Sequence, residues 1–166
     1  MIRLRQFLEI LAGIVLAIVL FAAFSSISVH LIQVINVFSL VVIYFASTEG
    51  EVKGALLGTV CGLIQDSMSL GVFGVAGLAK TIIGFAAGFV AKRINVGPWL
   101  RNFIFIFVLI SMELILWSSL YSFIYSKSFN TGRGLVFLQP LITALVGSSL
   151  FPSIRRIVSS LSDRQR

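Results

Sequence analysis

The chain has 166 residues, of which 58% are hydrophobic and only 11% charged, and its formal net charge is +7. Soluble domains carry roughly 25% charged residues, so the composition excludes a water-soluble domain, and the length holds about six spans of roughly 20 residues. In a soluble protein this positive charge would suggest nucleic acid, but here the basic residues stand at the ends of apolar runs, where they set orientation in a bilayer.

The amino terminus, Arg3 and Arg5 before an apolar run that includes Ala22 and Ala23, resembles a signal peptide. The run continues to Thr48, too long for a signal core, so the first span, about residues 7–24, is expected to be an uncleaved helix. A short polar break follows at Ser25, Ser26, Ser28 and His30. With no second histidine in the chain, His30 reads as an interfacial turn residue. The second span is expected over about 31–46, with Gln33 and Asn36 as buried amides that hydrogen-bond between helices.

Glu49, Glu51 and Lys53 mark a charged loop before a third span at about 52–67. Its glycines have a period: Gly54, Gly58 and Gly62 recur every four residues, and Asp66 continues the row. A turn at Gly71 to Gly74 leads to the fourth span, about 72–91, where Gly77, Gly84 and Gly88 share one face. Small residues at this spacing let helix backbones approach closely in lipid, where van der Waals contact replaces the hydrophobic effect. The lone cysteine, Cys61, lies in this row and reads as a small packing residue.

Lys92, Arg93, Pro98, Trp99 and Arg101 form the next loop, with Pro98 as a helix breaker and Trp99 suited to the interface. The fifth span, about 102–125, carries one acid, Glu113. The sixth is expected over about 135–151 with a bend at Pro140, followed by a basic tail, 153–166, suited to anionic lipid or a cytoplasmic partner. Six spans put Arg3, Arg5, Lys53, Lys92, Arg93, Arg101, Arg155, Arg156, Arg164 and Arg166 on one face and only Lys127 and Arg133 on the other. By the positive-inside rule both termini are expected to be cytoplasmic.

No catalytic, cofactor-binding or metal-binding pattern stands out: the histidine is single, the six acids are scattered, and no phosphate-cradling Gly-Lys-Ser loop is present. A membrane enzyme working through Asp66 and Glu113 as acid and base is disfavoured, because buried ionisable groups also serve as structural ion pairs. An ionisable side chain in hydrocarbon costs several kcal/mol without a partner, so Asp66, Lys80 and Glu113 are expected to form an intramembrane polar network. At about 1.5 Å per residue, Lys80 lies roughly 12 Å and Glu113 roughly 18 Å from the outer face, a gap that the lysine stem can bridge. Asp66, near the end of its span, either caps the turn or joins the same network.

The order Gly58, Gly62-Leu63-Ile64-Gln65-Asp66, then Gly71, Gly74, Gly77-Leu78, Lys80-Thr81-Ile82-Ile83-Gly84 and Gly88 resembles the bacterial rod shape-determining MreD family, most clearly over about residues 35–93. The resemblance implies an inner-membrane component of the wall-elongation machinery acting with an MreC-like protein and, through it, with MreB, RodA and a class B penicillin-binding protein. It also implies a compact all-α bundle of six helices, similar to the substrate-binding subunits of energy-coupling-factor transporters. Two further readings stand beside this non-catalytic scaffold: a small-molecule or lipid carrier, and the membrane enzyme. A carrier requires a sizeable cavity with convergent polar groups; a scaffold requires a packed centre and an apolar surface for partners.

Overall fold

The computed structural model describes residues 2–27, 34–68, 73–94, 99–125 and 135–163. Among them are six helices and no strand: α1 (Ile2–Ile27), α2 (Val37–Glu49), α3 (Glu51–Met68), α4 (Val75–Ala91), α5 (Trp99–Tyr125) and α6 (Leu135–Asp163). The helices pack as a bundle in which α3 and α4 form the closest pair, α2 touches all five others, and α1 packs mainly on α2.

Several boundaries differ from the sequence expectation, most of all the start of the second helix and the end of the last. The second helix begins at Val37, because Asn36 leaves the helical region (φ −92°, ψ 85°) and its side chain accepts a hydrogen bond from the Ser39 N–H. Asn36 is thus the residue that starts the helix, in the manner of an N-cap, and not an amide within a span. At the other end of the chain, α6 does not stop at Phe151 but runs through Pro152 to Asp163, with Pro140 and Pro152 both inside it. The expected positions of Gln33, His30, Gly71, Pro98, Lys127, Arg133, Arg164 and Arg166 lie outside the described residues.

Apolar side chains from α2, α4, α5 and α6 meet in one core around Ile43, Ile83, Ile106, Ile110 and Ala144. A second core joins α1, α2 and α3 through Ala17, Phe38, Val42, Leu57 and the buried Cys61, and the Phe21 and Phe38 rings lie 5.4 Å apart within it. Outside the bundle the apolar side chains continue. Val15, Val19, Leu56, Leu78, Phe85, Ile104, Val108, Ile115 and Leu141 are all exposed, which hydrocarbon tolerates and water does not.

The α3 and α4 backbones touch through their glycines. An added Cβ at Gly58 would come within 2.6 Å of the Lys80 carbonyl carbon, at Gly62 within 2.6 Å of the Gly77 nitrogen, and at Gly84 within 2.6 Å of the Gly54 carbonyl carbon. A Cβ at Gly54 would also meet that of Ala46 on α2 at 2.6 Å, and one at Gly88 the carbonyl carbon of Gly50 at 2.5 Å. Gly77 is looser: a Cβ there first meets the Leu63 side chain at 3.1 Å. Gly147 is a packing glycine that the sequence reading missed, with the Leu40 side chain and, at 3.0 Å, the Ile106 side chain against it.

Close approach brings the two ends of the hairpin into register. Between the start of α3 and the end of α4, Glu51 and Lys92 form an ion pair at 2.5 Å, and hydrogen bonding to Lys92 holds the Glu51 carboxyl below its usual range. By length and composition, one helix among the described residues, Trp99–Ile124 within α5, is long and apolar enough to cross a bilayer alone. Val37–Glu49, Val75–Ala91, Ile10–Ser26 and Leu138–Ile154 are shorter apolar helices, and α2, with 13 residues, is about 20 Å long.

Backbone contact makes the glycine row intolerant in a graded way. Gly62→Ala should destabilise the protein by about 1–3 kcal/mol, the cost of forcing extra volume into a close-packed site. Gly77→Ala should cost clearly less, since only the flexible Leu63 side chain must move. Thermal unfolding of both variants in one detergent checks the order; equal losses would refute it.

Candidate functional site

The structure brings Lys80 and Glu113 together in the middle of the bundle. Lys80, 1% exposed, and Glu113, 6% exposed, form an ion pair between the Lys80 Nζ and the Glu113 Oε1. Lys80 also donates to the Ser39 hydroxyl and, at 3.3 Å, to the Asn36 Oδ1. Asn36 completes the ring by donating from its Nδ2 to the Glu113 Oε1 at 3.2 Å. The lysine's three protons thus have three acceptors, the full capacity of an ammonium group.

The network reaches a fourth helix through the break before α2. The Asn36 N–H donates to the Thr143 hydroxyl at 3.2 Å, and that hydroxyl donates to the Val34 carbonyl at 3.2 Å. Thr143, on α6, is fully buried. One side chain of α6 therefore supplies both a donor and an acceptor to backbone groups at the helix break, the groups that a buried helix end leaves without intrahelical partners. The second Glu113 oxygen, Oε2, is buried and has no hydrogen-bond partner among the described residues.

Asp66 stands apart from this cluster. Its Oδ2 accepts from the Gly74 N–H at 2.9 Å and the Gly77 N–H at 3.1 Å, and its Oδ1 accepts from the Ala76 N–H at 3.3 Å. Gly74, the N-cap of α4, adopts φ 98° and makes no side-chain cap of its own, so a carboxylate from α3 supplies the cap across the turn. The negative charge at a helix N-terminus also meets the positive end of the helix dipole. Of the two roles open to Asp66 in the sequence, the structure displays the cap.

Chemically, the cluster joins α2, α4, α5 and α6. The six glycines Gly54, Gly58, Gly62, Gly77, Gly84 and Gly88 meet other parts of the same chain. Asn36, Ser39 and Thr143 were not singled out by sequence as partners of Lys80 and Glu113; only Asn36, an amide in an apolar run, carried a usable signal. Among the described residues no group of three or more His, Cys, Asp and Glu side chains is gathered to hold a metal.

Two sets of substitutions follow. Lys80→Met or Glu113→Leu alone strands a buried charge and should cost about 3–5 kcal/mol, whereas the double change should recover most of that loss; strictly additive losses in thermal unfolding would refute the coupling. Asp66→Ala should cost about 0.5–2 kcal/mol, the range for losing a helix cap, and its effect should add to that of Glu113→Leu because the two sites share no partner.

The family model described as rod shape-determining protein MreD matches residues 1–155. No curated protein and no solved structure matches the chain. That family is a non-catalytic membrane component of rod-shape maintenance, associated with the Mre/Rod elongation complex. With the match running over all six helices, the glycine hairpin and the buried ion pair, the chain belongs to the MreD family.

Proposed function

We propose that the protein works as a membrane scaffold of the elongation complex, holding an MreC-like subunit through its helix faces and linking indirectly to MreB, RodA and a class B penicillin-binding protein. In this reading all six helices cross the cytoplasmic membrane, both termini lie on the cytoplasmic side, and the arrangement is like that of the substrate-binding subunits of energy-coupling-factor transporters. The basic residues favour this orientation: of 13, ten fall on one face and two on the other, with Lys80 in the membrane.

The observation that carries the reading is where the polar groups go. Lys80, Asn36, Ser39 and Glu113 bond to one another, whereas a carrier needs convergent polar groups facing a cavity. The outer faces offer apolar stripes at helical spacing, Leu11, Val15 and Val19 on α1 and Ile104, Val108 and Met112 on α5, all exposed. Such stripes suit a partner helix in lipid, where packing and not water drives association.

Gly84 and Gly88 are poor probes of a partner, because each meets the backbone of its own chain at α3. The outward stripes are better. Tryptophan substitutions at Val15, Val19, Val108 and Met112 should leave thermal stability unchanged, while those on the docking stripe abolish co-purification of the MreC-like subunit and round the cells. Topology reporters at Arg166 and Pro98 should read cytoplasmic and one at Asn130 external. Cells that lack the protein, keep their rod shape and fail to take up a solute would establish the carrier reading instead.

A further inference from the structure

A groove of about 380 Å³ is lined by α1, α2 and α6. Its walls are Ala12, Gly13, Leu16 and Leu20 of α1 and Leu150, Phe151 and Ile154 of α6, and its floor is α2, from Val37 to Phe45. Apart from the tip of Tyr44 the lining is entirely apolar. Tyr44 packs edge-on to Phe151 at 5.2 Å, and the Phe45 ring lies over Gly13, where a Cβ would be only 2.5 Å from it. These contacts join the walls to the floor at one end of the groove.

The dimensions decide between occupants. On α1 the lining runs from Ala12 to Leu20, about 12 Å at the helical rise, against about 30 Å for a whole hydrocarbon core and half that for one leaflet. A partner's transmembrane helix needs a seam along most of the bilayer, whereas an acyl chain needs one leaflet. Charge falls at the corresponding end: Arg155 and Arg156 directly follow Ile154 on α6, and Arg5 lies two turns before Ala12 on α1. We infer that this groove is a binding site for an anionic phospholipid of the cytoplasmic leaflet, its acyl chain lying between α1 and α6 along α2 and its phosphate at the basic end of α6. The site is separate from any helix stripe that holds a protein partner, and it rests on the proposed orientation with both termini cytoplasmic.

The test uses the full chain purified in mild detergent, mixed with equal amounts of phosphatidylglycerol and phosphatidylcholine of the same acyl chains, and read by native mass spectrometry. One phosphatidylglycerol should remain bound after the other lipids are stripped. Leu16→Trp, which fills the groove, should remove it, and Ile154→Trp at the rim should weaken it should the first variant fold poorly; melting curves identify that case. Replacing Arg155 and Arg156 with glutamine should cut the preference for phosphatidylglycerol about thirtyfold while leaving a lipid bound, since each basic residue near an anionic surface contributes about fivefold. Equal retention of both lipids by the native chain would overturn the assignment. So would unchanged retention in well-folded Leu16→Trp and Ile154→Trp, or loss of the MreC-like subunit in place of the lipid. Failure of the scaffold reading is seen separately, in cell shape and co-purification.

Discussion

Burying one ammonium and one carboxylate in the same bundle is the constraint on which the other helix positions depend. Lys80 on α4 and Glu113 on α5 neutralise each other, but attraction alone seldom offsets the loss of hydration, and further hydrogen bonds are needed. Those come from Asn36 and Ser39 at the start of α2. The start of α2 is therefore placed at the ion pair. This placement also explains why the helix that touches all the others is the shortest of the six.

The glycine rows answer a different need. With few polar groups available, α3 and α4 gain cohesion by bringing backbone against backbone, as at Gly58 with Lys80 and Gly84 with Gly54. That closeness carries Lys80 inward to face α2 and α5, and it lets Asp66 reach the exposed amides at the start of α4. Glycine packing and charge pairing are thus successive steps of one arrangement. What remains for the outside is a set of apolar helix faces, the material from which a membrane scaffold makes its contacts.

Much of this was legible in the residues. Six helices, the packing glycines and the similar depth of Lys80 and Glu113 follow from hydropathy, spacing and helical rise. The break before α2 did not, since Leu31 to Ile35 continues an apolar run except for Gln33, and the cap at Asn36 is evident only once its partners are known. Ser39 and Thr143 were hidden for a related reason. Serines in apolar helices commonly bond to their own preceding turn, as Ser47, Ser111 and Ser118 do here, so nothing in a hydroxyl's sequence context separates a self-bonded one from one that bridges helices. Gly147 escaped because it is a single glycine outside any repeat. The full length of α6 is not evident from the residues, because Pro152 reads as a stop although it lies inside the helix.

The separation of Lys80 and Glu113 along the chain has a consequence for biogenesis. The two are 33 residues apart, so during synthesis the lysine leaves the ribosome and approaches the bilayer before its counter-ion has been made. In the proposed membrane arrangement, the ammonium and the Asn36 amide would stay at the lipid headgroups or in the insertion machinery until α5 arrives. The glycine-rich hairpin would then reach its final depth only after the strongly apolar α5 has entered, and a chain truncated before Glu113 would lack the charge that neutralises Lys80.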